Sequence, residues 1–358
     1  MSVTAPVVPS ALDAKPPSNP EREAYYQRMD QVHTAPLWEV LAALIPTAPR
    51  PRIVPHHWSY QALRPLLMES GHLITAREAE RRVMILENPG IRGESLVTNS
   101  LYAGIQLVLP GEHTASHRHT MSALRFVLES PGGYTAVNGE KTTMRAGDFI
   151  VTPSWTWHDH GNDVDGPITW MDVLDVPIVN LLDASFAEHH PQDTQAFDKN
   201  EGDALARYGT GLLPVDYKPT SLTTPQFVYP YSRTREALET LLKNGPVHDS
   251  HGVKMQFVNP GTGGSPMPTI GTFIQLLPKG FKGQSYRQTD ATVYCAAEGE
   301  GVSHVGEQTF HWKKNDVFVA PSWFPVSHES ANGGVLFSAS DRPVQKALGL
   351  WREQVPAK

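Results

Sequence analysis

Cysteine is almost missing from this chain. Cys295 is the only one in 358 residues, so no intrachain disulfide can form, and a reducing cytoplasm is the compartment that fits. No apolar run approaches the roughly eighteen residues a membrane helix needs, which argues against a membrane partner. Long basic runs are also lacking and the formal net charge is -7, which argues against nucleic acid while leaving room for a local positive pocket for a small anion. The opening stretch, Met1 to Pro20, is rich in Pro, Ala and Ser and has no charged-then-apolar leader pattern, so it reads as a tail without an export signal. With 40% hydrophobic residues, the chain can bury the cores of two domains.

What is abundant is histidine in strand-compatible pairs. His117-Arg118-His119 is followed by Trp157-His158-Asp159-His160. Side chains alternate across a strand, so each pair projects two imidazoles from one face. Two such strands can bring three nitrogens to one ion, and the set predicted to do so is His117, His119 and His158. His160 then faces inward without necessarily ligating, while Asp159 points away. Trp155 and Trp157 alternate with the histidines and are expected in barrel walls. His189-His190 are neighbours on an extended chain, face apart, and read as a solvated loop.

The frame around these histidines is Gly111-x5-His117-x-His119, then Gly147-x5-Pro153-x4-His158-x3-Asn162. The glycines suit tight turns and Pro153 a strand start. This pattern resembles the cupin family, which implies a mainly β fold of small double-stranded β-helix (jelly-roll) barrels. One departure is that the carboxylate cupins often carry after the second histidine is replaced by Thr120-Met121-Ser122-Ala123-Leu124.

The unit also repeats. Ile105-Gln106-Leu107 with Pro110 and Gly111 returns as Ile274-Gln275-Leu276 with Pro278 and Gly280, and Pro153-Ser154-Trp155 returns as Pro321-Ser322-Trp323. The near-constant separation predicts two similar barrels, a bicupin. In the second copy Tyr286, Gln288 and Val326 stand where the ligands should be, so the metal is lost there and the remaining His328 reads as structural or hydrogen-bonded. The domain plan is a flexible tail over 1–35, a helical segment over 36–82 whose patterning starts as early as residue 21, and a metal-binding barrel over 83–180. A connection over 181–247 with a helix from Arg233 to Lys243, a degenerate barrel over 248–345 and a tail over 346–358 complete it.

Beyond the cupin frame, the run from Tyr102 to Glu112, with His117-Arg118-His119-Thr120, Ala123-Leu124-Arg125-Phe126 and Trp155 through Asn162, resembles the gentisate 1,2-dioxygenase family. That family also includes salicylate and 1-hydroxy-2-naphthoate dioxygenases. The resemblance implies non-haem Fe(II), consumption of O2, ring cleavage of gentisate to maleylpyruvate, and a homo-oligomer, often a homotetramer. Three neutral imidazoles would leave open positions for a bidentate carboxylate and hydroxyl together with O2. The motif places substrate-contacting arginines at Arg81 and Arg125, with Arg77 a weaker candidate and Arg82 expected to face solvent. Gln106 is expected to orient substrate or oxygen, Tyr102 to line the ring pocket, and Gly104 to leave volume beside the metal. His160, oriented by Asp172, is assigned proton work. Spacing alone would equally permit a zinc or nickel isomerase or hydrolase, or a bicupin that only binds.

Overall fold

The computed structural model describes residues 19–356. Two compact units result, residues 1–50 and 51–358. In the first, Asn19 caps a helix Pro20–Gln31 by accepting from the Arg22 amide, and a second helix spans Leu37–Leu44. The helix at 20–31 falls in the stretch expected as a flexible tail, where acidic Glu21 and Glu23 favour its first turn; residues 1–18 lie outside the described part. No helix among the described residues is long and apolar enough to cross a membrane.

The larger unit holds both barrels. The first is built from a six-stranded and a five-stranded sheet. The six-stranded sheet runs Val228–Tyr229, Phe149–Thr152, Ala123–Glu129, Ile168–Leu174, Tyr102–Val108, Val83–Ile85. The five-stranded one runs Ala187–His189, His113–His119, His158–Gly161, Tyr134–Val137, Glu140–Thr143. A nine-stranded sheet carries the second barrel, including Gly271–Leu277, Thr292–Val305, Val326–Ser330 and Gly334–Ser340. The two barrels pack back to back through one continuous core in which the Phe126 and Phe337 rings stack at 4.3 Å between centroids. Each such fully buried ring contributes about 1.5–3 kcal/mol.

Several edges differ from the sequence expectation. His56–Trp58, inside the segment expected to be helical, is a strand that pairs with Val317–Ala320 of the second barrel. Reciprocally, Val228–Tyr229 from the connection pairs with Phe149–Thr152 of the first. His189 lies in the short exposed strand Ala187–His189 opposite His117 rather than in a loop. The expected C-terminal tail instead supplies the strand Glu353–Gln354, paired with Arg287–Gln288. The helix expected at Arg233 to Lys243 spans Tyr231–Asn244 and stops at Gly245.

Candidate metal centre

The first ligand strand does not alternate simply. Thr114 pairs with His160, yet His117 pairs with His158, so Ala115 and Ser116 of one strand stand opposite the single Asp159 of the other. This bulge rotates His117 and His119 onto the face that His158 and His160 share. Beyond it, the turn into the second ligand strand is tied down at both ends. The Trp155 amide donates to the His119 carbonyl at 2.7 Å, the Ser154 hydroxyl to the Thr120 carbonyl at 2.5 Å, and the Trp157 amide to Asn138 Oδ1 at 3.1 Å. Trp155 itself sits at φ +59°, a left-handed conformation that an aromatic residue adopts only when its surroundings impose it.

These constraints bring one ligand atom from each of His117, His119 and His158 within 4.8 Å of one another. Ring centroids are 4.3 Å apart for His117 and His158, and 4.9 Å for His119 and His158. Each ring turns its Nδ1 towards a main-chain carbonyl: Ala115 at 3.4 Å, Met121 at 2.9 Å and Thr156 at 3.0 Å. A carbonyl can only accept, so in His119 and His158 Nδ1 carries the proton and Nε2 presents its lone pair to the cluster. His158 Nε2 is buried without a hydrogen-bond partner among the described residues. Burial, with Arg81 next, holds His117 down to about 3, and burial holds His119 down to about 4. Burial and His117 likewise push His158 well below the usual imidazole range. All three are therefore neutral donors at neutral pH, the form a divalent metal requires.

Cations surround this triad. Arg81 donates to the Ala115 carbonyl at 2.6 Å and its guanidinium touches His117 Nδ1. Arg125 is buried, donates to Thr152 Oγ1, and has its Nε 3.5 Å from Asp172 Oδ1. That is too long for a hydrogen bond, so both atoms retain unused hydrogen-bonding capacity. Arg125 and Gly104 are the two cross-strand partners of Asp172, and Gln106, buried with an unpartnered Nε2, stands opposite Trp170. A Cβ added to Gly104 would lie 2.4 Å from Val83 Cγ1 and 3.2 Å from the Tyr102 hydroxyl, so glycine keeps this wall thin. Burial, reinforced by Asp172, raises the Tyr102 hydroxyl and keeps it protonated.

Some expectations are corrected. His160 is oriented by Thr135, whose Oγ1 lies 2.9 Å from Nδ1, and not by Asp172, which faces Arg125. Arg77 is exposed on the short helix Ala76–Ala79, which lies beside the strand His113–His119. Arg82 does not face solvent: it is 6% exposed and forks onto Glu112 at 2.7 and 2.9 Å. Glu112 in turn accepts from the Leu109 amide and so fixes the turn before the ligand strand. Trp155 and Trp157 are not barrel walls; both rings lie 4.6 Å from the Arg118 guanidinium, outside the sheet. Thr135, Thr152 and Trp170 were missed, since only the strand register reveals what they face.

The Thr135 contact has a measurable consequence. Replacing Thr135 by Val keeps the shape but frees the His160 ring; kcat falls about tenfold with bound metal unchanged, a pairing that metal analysis beside steady-state kinetics would reveal. Asp172 supplies another. Burial pushes its carboxyl up to about 6 against the pull of Arg125. A raised carboxyl pKa stabilises the fold below the ordinary value near 4, and that contribution is lost as pH rises through 6. Urea unfolding of the metal-free protein should therefore show a loss of about 2–3 kcal/mol over that window, absent in Asp172→Asn.

A jelly-roll barrel with three neutral, converging imidazoles defines a metal-dependent cupin. Residues 104–174 match the cupin domain model. The chain is 53% identical over 339 residues to gentisate 1,2 dioxygenase 1 of Aquipseudomonas alcaligenes, covering 95% of this chain and 98% of that one. It is 35% identical over 336 residues to gentisate 1,2-dioxygenase of a Ralstonia species, covering 92% and 93%. Salicylate 1,2-dioxygenase from Pseudoaminobacter salicylatoxidans, solved as an adduct with gentisate, superposes with a TM-score of 0.91 at 33% identity over 97% of each chain. The chain belongs to the gentisate 1,2-dioxygenase family, ring-cleaving oxidoreductases of the bicupin fold.

Proposed function

We propose that this chain cleaves gentisate between the carboxyl-bearing carbon and the adjacent hydroxyl-bearing carbon, placing both atoms of O2 in maleylpyruvate, with Fe(II) held by His117, His119 and His158. The observation that carries this reading is the convergence of three neutral imidazoles beside two guanidinium groups. Bound iron supplies Lewis acidity and a redox partner for O2. Everything else is work for side chains. Arg81 and Arg125 fix the substrate carboxylate and compensate its charge. Gln106 offers an unused amide donor suited to hold the substrate hydroxyl oxygen, and His160 a neutral Nε2 suited to take its proton. Tyr102 and Gly104 shape the wall against the ring.

Copies of the chain assemble as a homotetramer in this reading, supported by the exposed apolar residues Leu37, Trp38, Val40, Leu41 and Leu44, and light scattering checks it. A cytoplasmic location fits the single, buried Cys295. The decisive assay loads Fe(II) anaerobically and follows oxygen uptake with gentisate, salicylate and 1-hydroxy-2-naphthoate. One O2 per gentisate, with little uptake on the other two, is expected. Faster turnover of salicylate, or turnover with zinc and no oxygen, would overturn the assignment.

A further inference from the structure

The second barrel has lost its metal ligands but not the other half of the site. In the first barrel, Gln106, His160 and Asp172 keep buried polar atoms without partners among the described residues. Strand register identifies their counterparts. Gln275 pairs with Leu336 as Gln106 does with Trp170, Phe273 with Ser338 as Gly104 does with Asp172, and Ser303 with His328 as Thr135 does with His160. Leu336 lies in the second barrel's own core with Tyr294, Trp312 and Phe318, so Gln275 and Ser338 point into that barrel. Both amide atoms of Gln275, Nε2 of His328 and Oγ of Ser338 are again unpartnered, in side chains of residues no more than 1% exposed. Unmet buried polar groups are costly and rarely cluster without something to satisfy them.

The chemistry of this lining is donor-rich. Ser303 Oγ accepts from Trp312 Nε1 at 2.9 Å and lies 2.8 Å from His328 Nδ1. Its own hydrogen can go to Nδ1, the arrangement that puts the His328 proton on Nε2. Lys254 is the cross-strand partner of Gln275, and its Nζ lies 5.2 Å from the Phe273 ring centroid. Burial, then Arg342, pull the Lys254 ammonium down to about 7. The nearby acids are otherwise engaged: Asp290 takes Arg342 at 3.0 Å and Trp351 Nε1 at 2.7 Å, and Glu353 faces His251 at 4.0 Å. Phe273 occupies the position of Gly104, filling the volume that an aromatic ring would need.

We propose that the second barrel binds a small carboxylate, of acetate size, on Lys254, Gln275, His328 and Ser338, independently of the metal. The test titrates sodium acetate into the iron-loaded enzyme at constant ionic strength by calorimetry and locates it in acetate-soaked crystals. The expected result is one acetate in the second barrel within hydrogen-bond distance of Lys254 Nζ. Lys254→Met and Gln275→Leu should each weaken it about tenfold, with oxygen uptake unchanged. Only ordered water among these groups, acetate confined to the first barrel, or unaltered affinity in Lys254→Met would overturn the proposal. Inorganic phosphate binding there in place of acetate would overturn the carboxylate assignment. If the variants fail to fold, the soaked wild-type crystal decides.

Discussion

His158→Ala is expected to empty the metal centre and abolish turnover while leaving the metal-free fold intact. His158 is 1% exposed and sits nearest the other two rings, so its loss removes the buried member of the triad. Metal catalysis is worth several kcal/mol, so activity falls at least about a thousandfold. The stability result separates this from simple unfolding. In the metal-free wild type, His158 Nε2 is a buried nitrogen with an unmet bond, so removing the ring also removes a penalty and offsets part of the cavity cost. The melting temperature of metal-free His158→Ala should therefore match that of metal-free wild type within a few degrees. The rise that added metal gives the wild type should vanish. A variant that retained stoichiometric metal by plasma emission analysis would show that His158 is not a ligand. His328→Ala, at the place in the second barrel that corresponds to His160, serves as the control that leaves metal and turnover unchanged.

The second large effect concerns Arg125. Both Arg125 and Asp172 are buried, at 4% and 5% exposure. Arg125→Met leaves the Asp172 carboxylate in the interior without its counter-charge, a change that costs about 3–5 kcal/mol. Because the lone carboxyl can escape by taking up a proton, the loss measured by urea unfolding should be smaller at pH 5.5 than at pH 7.5. Arg125→Met/Asp172→Asn should recover most of the stability, as a double-mutant cycle would quantify, yet remain impaired in KM for gentisate because the carboxylate clamp is gone. Equal stability of Arg125→Met and wild type at both pH values would refute the pairing.

The histidine pairs, the cupin spacing and the repeat were legible because they are local: i,i+2 ligation and turn glycines are written in consecutive residues. The family and the ring-cleaving class followed from them. What strict alternation could not reveal is the bulge before His117, since an extra residue opposite His158 and His160 is a property of two strands together. The same holds for Thr135 on His160, 25 positions apart, which is why Asp172 was the wrong choice as orienter. Arg82 was misplaced because its partner Glu112 lies across a sheet edge and turns an expected solvent-facing charge into a buried fork. Trp155 and Trp157 went astray through the left-handed turn, which throws both rings outward onto Arg118. The short strands at 56–58 and 228–229 carry too few residues to show a period.

Those two short strands bear on how the chain can be divided. Each lead-in segment seals the rim of the other repeat, His56–Trp58 on Val317–Ala320 and Val228–Tyr229 on Phe149–Thr152. A fragment ending near residue 180 would thus expose an unpaired Phe149–Thr152 margin and a bare phenylalanine face, both invitations to aggregate. The same reciprocity is what a self-complementary pair of single repeats would display.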